Sequence, residues 1–206
     1  MATKSSSGSK TGLVVGAVGG LVVLLLVAAV MFGNEEVGSE YGSPELSGTS
    51  LPTFPSQVTV DTSATGLPAP EIFGVDYSGA EVAITNDGVA KGIVFLAHWC
   101  QFCQREVPRV QQWLDNGGGV EGTELYSVST AVNSTRPNYP PSEWFDREGW
   151  TSPVILDDQP GSVHRAYGGG GFPNWVFLNA DGTVALRTAG ELTDAQLEQF
   201  LKSLEK

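Results

Sequence analysis

Two cysteines occur in the 206 residues, and they stand two residues apart in Trp99-Cys100-Gln101-Phe102-Cys103. A disulfide across so small a loop removes little freedom from the unfolded chain, because the entropic gain grows with loop length. The spacing suits exchange chemistry, in which one thiolate attacks a partner's disulfide and a second, within reach, resolves the mixed disulfide. The attacking sulfur needs a lowered pKa, which a helix N-terminus supplies through unpaired N–H groups and the positive end of its dipole. Two alternatives stand beside this reading: an inert structural disulfide and a metal-binding pair. A zinc site asks for two more Cys or His ligands, and His98 and His164 do not repeat a ligand spacing. Neither a metal nor a cofactor is expected.

The elements around the pair offer the setting it needs. Ile93-Val94-Phe95-Leu96-Ala97 follows Gly92 and has the length and composition of a buried strand. From Arg105 to Leu114, Val107, Val110, Trp113 and Leu114 recur at helical spacing, so the cysteines fall where a strand turns into a helix. Cys100 is then at the exposed end and Cys103 about one turn in. The Gly117-Gly118-Gly119 run ends that helix, and Leu125 to Val132 reads as a second core strand. Upstream, Ile72 to Asp76 and Glu81 to Ile84 flank Tyr77-Ser78-Gly79-Ala80 as a hairpin. Downstream come a polar insertion from Asn133, a short helix over Ser142 to Glu148 and a short strand at Val154 to Leu156. Trp175 to Leu178 and Thr183 to Leu186 then flank an Asp181-Gly182 turn. Thr193 and Gln196 form a capping box before a closing helix whose apolar face is Leu197, Phe200, Leu201 and Leu204. This order makes an α/β fold: a mixed central sheet with helices on both faces and an N-terminal β-hairpin extension.

The amino terminus is of another kind. Residues 1–12 are polar with Lys4 and Lys10, and Leu13 to Phe32 is almost wholly Val, Leu, Ala and Gly. At about 1.5 Å per residue that run crosses a hydrocarbon core about 30 Å thick. Lysines before it and Glu35, Glu36 and Glu40 after it predict a cytoplasmic tail (1–12), a membrane anchor (13–33) and an extracytoplasmic remainder. A cleaved signal peptide is the competing reading, with Val27-Ala28-Ala29 as its cleavage site. Residues 34–65, rich in Gly, Ser, Thr, Pro and Glu, read as a flexible tether, leaving 66–206 as the domain. The formal charge of −12 argues against nucleic acid as a partner.

Three patterns together carry a family resemblance. Gly66-Leu67-Pro68-Ala69-Pro70-Glu71-Ile72 precedes the hairpin, Trp99-Cys-x-x-Cys-x-x-Glu106-x-Pro108 follows the buried strand, and Phe172-Pro173 precedes an Asn-Ala-Asp-Gly turn. From about Gly66 to Lys206 the chain resembles the TlpA-type thioredoxin-like proteins, bacterial thiol-disulfide oxidoreductases that are exported or membrane-tethered. The resemblance implies a thioredoxin-like fold in which Cys100 is the nucleophile and Cys103 the buried resolving thiol. Trp99 would belong to the docking surface, Pro173 would be a cis-proline opposite the thiols, and the backbone of Phe172 would pair with an extended substrate. An ordinary trans turn is the plain alternative for Pro173. Glu106 would tune the thiols, or it is a solvated helix residue. Pro108 would bend the helix by removing a bond to the Gln104 carbonyl. Val94 stands where thioredoxin has a buried acid, so the proton acceptor is open, with Glu106 first and His98 or water after it. His98 itself reads as a surface histidine at the strand end.

By resemblance the substrates are protein thiols and disulfides, the electron donor is a membrane protein, and the chain reduces disulfides outside the cytoplasm, with cytochrome c maturation one such setting. The alternatives are an oxidant of exported thiols, a peroxidase and a copper-binding module. Against the last two, position 97 is Ala where peroxiredoxins have the Thr of Thr-x-x-Cys, and copper carriers on this fold resemble Cys-x-x-x-Cys plus His.

Overall fold

The computed structural model describes residues 40–206. In chain order these form β1 (Glu45–Ser47), β2 (Val60–Asp61), β3 (Glu71–Val75), β4 (Glu81–Ile84), β5 (Ala90–Leu96), α1 (Gln101–Asp115), β6 (Thr123–Ser129), α2 (Pro141–Arg147), β7 (Val154–Leu156), α3 (Ser162–Ala166), β8 (Asn174–Leu178), β9 (Val184–Ala189) and α4 (Asp194–Lys202). The expected anchor at 13–33 and the tail before it lie outside the described residues. Among the described residues, no helix is long and apolar enough to cross a membrane.

The central sheet has the order β2-β9-β8-β5-β6-β7. β5, β6 and β7 run parallel, whereas β8 and β9 are antiparallel to their neighbours. β5 is buried along its whole length because both faces of the sheet are covered. Its side chains alternate. Val94 and Leu96 point to one face, where they meet Cys103, Val107 and Val110 of α1, Trp144 and Phe145 of α2, and Leu197 and Leu201 of α4. Ile93 and Phe95 point to the other, where the cover is Val163 and Ala166 of α3, Ile72 and Ile84 of the hairpin, and Leu51 and Ala64 from further upstream. This is the thioredoxin-like fold.

The helix that carries the cysteines ends as its glycines require. Gly117 has a φ of 81° and donates to the Leu114 carbonyl, while Gly118 N–H reaches back to the Trp113 carbonyl at 2.8 Å. That pairing satisfies carbonyls left over by the last turn, and the left-handed position favours a residue with no Cβ.

The flexible tether expected over 34–65 is corrected by the structure from Glu40 onward. β1 pairs with β3, so the hairpin is part of a three-stranded sheet, and β2 adds an edge strand beside β9. Leu51, Phe54 and Ala64 are buried. Arg187, 0% exposed, donates from Nε to Asp61 Oδ2 at 2.9 Å, with a second bond from Nη2, and its Nη1 donates to the carbonyls of Pro52 and Tyr167. The tether reading failed because these apolar residues are isolated and follow no period. Their partners lie far along the chain, and Asp61 and Arg187 are separated by 126 positions.

Candidate active site

β5 delivers the chain to the Cys-x-x-Cys turn, and α1 begins directly after it. Cys100 is the residue before the first helical turn, in extended conformation, with no side-chain oxygen capping the helix and no acidic residue in its first turn. The free N–H groups of the helix start are therefore left to the Cys100 sulfur. Both cysteines are free thiols: Cys100 is half-buried and Cys103 is 0% exposed. The two sulfurs titrate in opposite directions. A hydrogen bond from the Cys103 thiol, joined by the N–H groups of Cys103 and Phe102, draws the Cys100 pKa down to about 6. Burial pushes Cys103 far above the ordinary thiol value, and the bond to Cys100, the charge of Cys100 and that of Glu106 push it further.

Glu106 is not a solvated helix residue; it is 1% exposed. Its carboxylate accepts from Trp175 Nε1 at 2.8 Å, from the Leu192 amide at 3.2 Å and from Arg109, which also pairs with Asp194. Burial holds its pKa above the usual carboxylate value, partly offset by the Arg109 charge and these hydrogen bonds. The Glu106 and Arg109 spacing of three was readable as a helical ion pair in the sequence. The Trp175 and Leu192 partners, 69 and 86 positions away, had no such signal.

Opposite the thiols, the Phe172–Pro173 peptide bond is cis. The Phe172 carbonyl oxygen lies 3.6 Å from the Cys100 sulfur, close enough to accept its proton as a hydrogen bond in the thiol form. The Trp99 and Phe172 rings meet at a right angle with centroids 6.2 Å apart, and Trp99 Nε1 donates to the Ala131 carbonyl at 2.7 Å. Cys100, Cys103, Glu106, Trp99, Phe172 and Pro173 are thus gathered at one end of the sheet.

His98 is corrected: it is buried, 1% exposed, under the 131–140 loop. Its Nε2 accepts from the Asn133 amide at 3.1 Å, so Nδ1 carries the hydrogen and donates to the Pro137 carbonyl at 2.7 Å. Burial lowers its pKa, and with its one acceptor nitrogen engaged it has no lone pair for the Cys103 proton. The loop that covers it contains a second cis bond, Tyr139–Pro140.

His164 was read in the sequence only as an unmatched metal ligand, and the structure gives it a place in the site. Its ring packs at a tilt against Phe172 with centroids 4.6 Å apart, lies against Phe95, and bonds the Gly170 carbonyl through Nε2 at 2.9 Å. Burial draws its pKa down to about 4, so it braces the cis-proline loop as a neutral ring. Gly168 in the same loop has a φ of 103°, and Arg187 Nη1 lies 2.0 Å from where a Cβ would stand. No periodic pattern marks either residue. Among the described residues, no cluster of three or more His, Cys, Asp or Glu could hold a metal ion.

The thioredoxin-like domain family matches residues 78–205. The thiol-disulfide oxidoreductase ResA of Geobacillus thermodenitrificans is 31% identical over 143 residues, covering 68% of this chain and 78% of that protein. The chain belongs to the thioredoxin-like thiol-disulfide oxidoreductases. ResA of Geobacillus kaustophilus is 29% identical over the same length. Among solved structures, a DsbF homologue from Corynebacterium diphtheriae superposes on this oxidoreductase with a TM-score of 0.61, at 20% identity, over 76% of this chain and 100% of that one. A thiol:disulfide interchange protein from Chlorobium tepidum gives 0.54, at 23% identity, over 69% and 97%. At these identities the structures speak for the fold. The oxidoreductase chemistry rests on the family match, the ResA relatives and the thiol pair.

Proposed function

We propose that the chain is a membrane-anchored reductase of protein disulfides outside the cytoplasm, with Cys100 as nucleophile and Cys103 as resolving thiol. The observation that carries it is the contrast within the pair: Cys100, half-buried, stands at the start of α1, and Cys103 is wholly buried one turn in. With a pKa of about 6, Cys100 is mostly thiolate at pH 7 and half-exposed, while Cys103 remains a buried thiol. The Cys100 thiolate attacks a substrate disulfide and one substrate thiolate leaves. Capping Cys100 removes both its charge and its hydrogen bond, two of the causes that hold the Cys103 proton in place. Cys103 then loses its proton to Glu106, the buried carboxylate whose charge it already feels, and displaces the second substrate sulfur. Burial that raises the Glu106 pKa makes it the better base for this transfer.

The same value supports a reducing direction. A strong oxidant stabilises its thiolate far below neutrality, at about 3.5 in DsbA, whereas thioredoxin stands at about 7. A value of about 6 sits nearer the reducing member. The apolar run from Leu13 to Phe32, with Lys4 and Lys10 before it, supports the anchor and a cytoplasmic amino terminus. A membrane protein then returns electrons to the pair, and exported protein disulfides, those of cytochrome c maturation among them, are its clients.

Equilibration in thiol buffers tests the direction. A potential close to the roughly −270 mV of thioredoxin is expected, and one near the roughly −120 mV of DsbA would make the protein an oxidant. A Cys103→Ser variant should accumulate mixed disulfides through Cys100; capture through Cys103 in a Cys100→Ser variant alone would reverse the roles.

A further inference from the structure

Two rings next to Cys100 in the chain reach solvent, Trp99 and Phe102, and a guanidinium group is set over each. Arg105 lies 4.9 Å from the centre of the Phe102 ring, and Arg136 lies 5.2 Å from that of Trp99. The two cations differ in what they can offer a partner. Arg105 is engaged by Glu191 in a forked pair, Nε to Oε1 at 2.9 Å and Nη2 to Oε2 at 2.6 Å. Arg136 is exposed, and among the described residues no carboxylate pairs with it. Its loop is fixed beneath it by the Arg136 amide on the Asn133 carbonyl and by Trp99 Nε1 on the Ala131 carbonyl.

A chain with a formal charge of −12 repels acidic segments over most of its surface. Over the indole of Trp99, the residue before the reacting cysteine, it instead presents a guanidinium that has no carboxylate partner among the described residues. Stacking on an indole leaves the N–H edge of that group open, and its fork matches the two oxygens of a carboxylate. Trp99 is the immediate neighbour of Cys100 and touches Phe172, so Arg136 stands one side chain from both. An extended strand advances about 3.3 Å per residue, which puts a side chain only a few positions from the substrate cysteine within its reach.

We infer that Arg136, seated on Trp99, selects polypeptide substrates that carry an Asp or Glu within a few residues of the disulfide-bonded cysteine. The inference rests on Cys100 being the nucleophile toward a segment docked at Phe172. The substrate carboxylate meets the guanidinium while its sulfur meets Cys100. Exchange then runs in two steps: the substrate S–S bond breaks as the Cys100–substrate bond forms, and Cys103 displaces the substrate sulfur after losing its proton. Two electrons pass from the dithiol to the substrate, and the Cys100–Cys103 disulfide remains.

The test uses the full chain bearing Cys103→Ser, so that reaction stops at the mixed disulfide. The probes are peptides whose single cysteine is linked to thionitrobenzoate, with Asp, Asn or Lys two positions away. The Asp peptide should release thionitrobenzoate about fivefold faster than the Asn peptide at low salt, the size of one exposed ion pair, and the advantage should shrink as salt screens it. Arg136→Gln should bring that ratio to about one, and Arg136→Glu should turn the preference toward the Lys peptide. Each ratio compares two peptides on one protein, so a change in thiolate reactivity cancels. Equal rates for Asp and Asn with Arg136 in place, or an unchanged ratio in Arg136→Gln, would overturn the inference. If no peptide is captured at Cys100, the nucleophile assignment falls and the inference falls with it.

Discussion

The two walls of the thiol site are built in different ways. On one side, β5, the Cys-x-x-Cys turn and α1 are consecutive in the chain, and the groups that lower the Cys100 pKa all lie within three residues of it. On the other, the Gly168 to Pro173 loop is held from a distance. The Phe54 amide bonds the Gly168 carbonyl, the Leu51 amide bonds that of Ala166, Arg187 bonds that of Tyr167, and His164 packs against Phe172. The first wall sets reactivity by local geometry, and the second sets what can dock by long-range packing. Each should therefore break separately.

The largest separation is expected from Arg187→Leu. Removing the guanidinium leaves the Asp61 carboxylate buried and unpaired and the Pro52 and Tyr167 carbonyls without their donor, at a cost of about 3–5 kcal/mol. Urea unfolding should show that loss, while the midpoint of Cys100 alkylation should stay near its parent value. A midpoint displaced by a whole unit would mean the walls are coupled.

Glu106 tests the local wall. Glu106→Gln should slow release from the mixed disulfide by roughly tenfold or more, as expected when a general base is lost. Single-turnover kinetics would separate that step from capture by Cys100, which should change little. Glu106→Ala should in addition destabilise by about 1–3 kcal/mol for each buried donor left unmatched, Trp175 Nε1 and the Leu192 amide.

His164 gives the distant wall a pH signature. Its folded pKa of about 4 lies below the ordinary 6.5, so the unfolded chain takes up the proton first as pH falls. Stability from this group is therefore intact above about 6.5 and declines toward pH 4, by at most roughly 3 kcal/mol. His164→Leu should remove that part of the slope and slow capture of substrates a few-fold through a looser Phe172. Denaturant midpoints across that range would show it.

The smallest effect needs no substitution. Cys100 alkylation should rise with pH through a midpoint of about 6, because only the thiolate reacts and protonation removes it below that value. A midpoint near 9 would show that the helix start and Cys103 do not stabilise the thiolate.

The local wall was largely legible before the fold was known. The apolar run became β5, the three-four spacing became α1, and the capping box at Thr193 and Gln196 formed as the residues suggested. Each signal is carried by neighbours along the chain, where helix and strand periods register. The distant wall was not legible in this way. Asp61 looked like part of a tether, His98 like a surface residue, and His164 like a histidine without a role.

The sequence by itself determined the chemistry: two thiols at exchange spacing, at the junction of a buried strand and a helix. Tertiary structure alone decided the rest. It made Glu106 a buried carboxylate by bringing Trp175 and Leu192 to it, and closed both ring nitrogens of His98 under a loop. It also drew residues 40–65 into the wall opposite the thiols. Burial and long-range hydrogen bonds depend on which distant segments meet, and a linear pattern holds no period that records them.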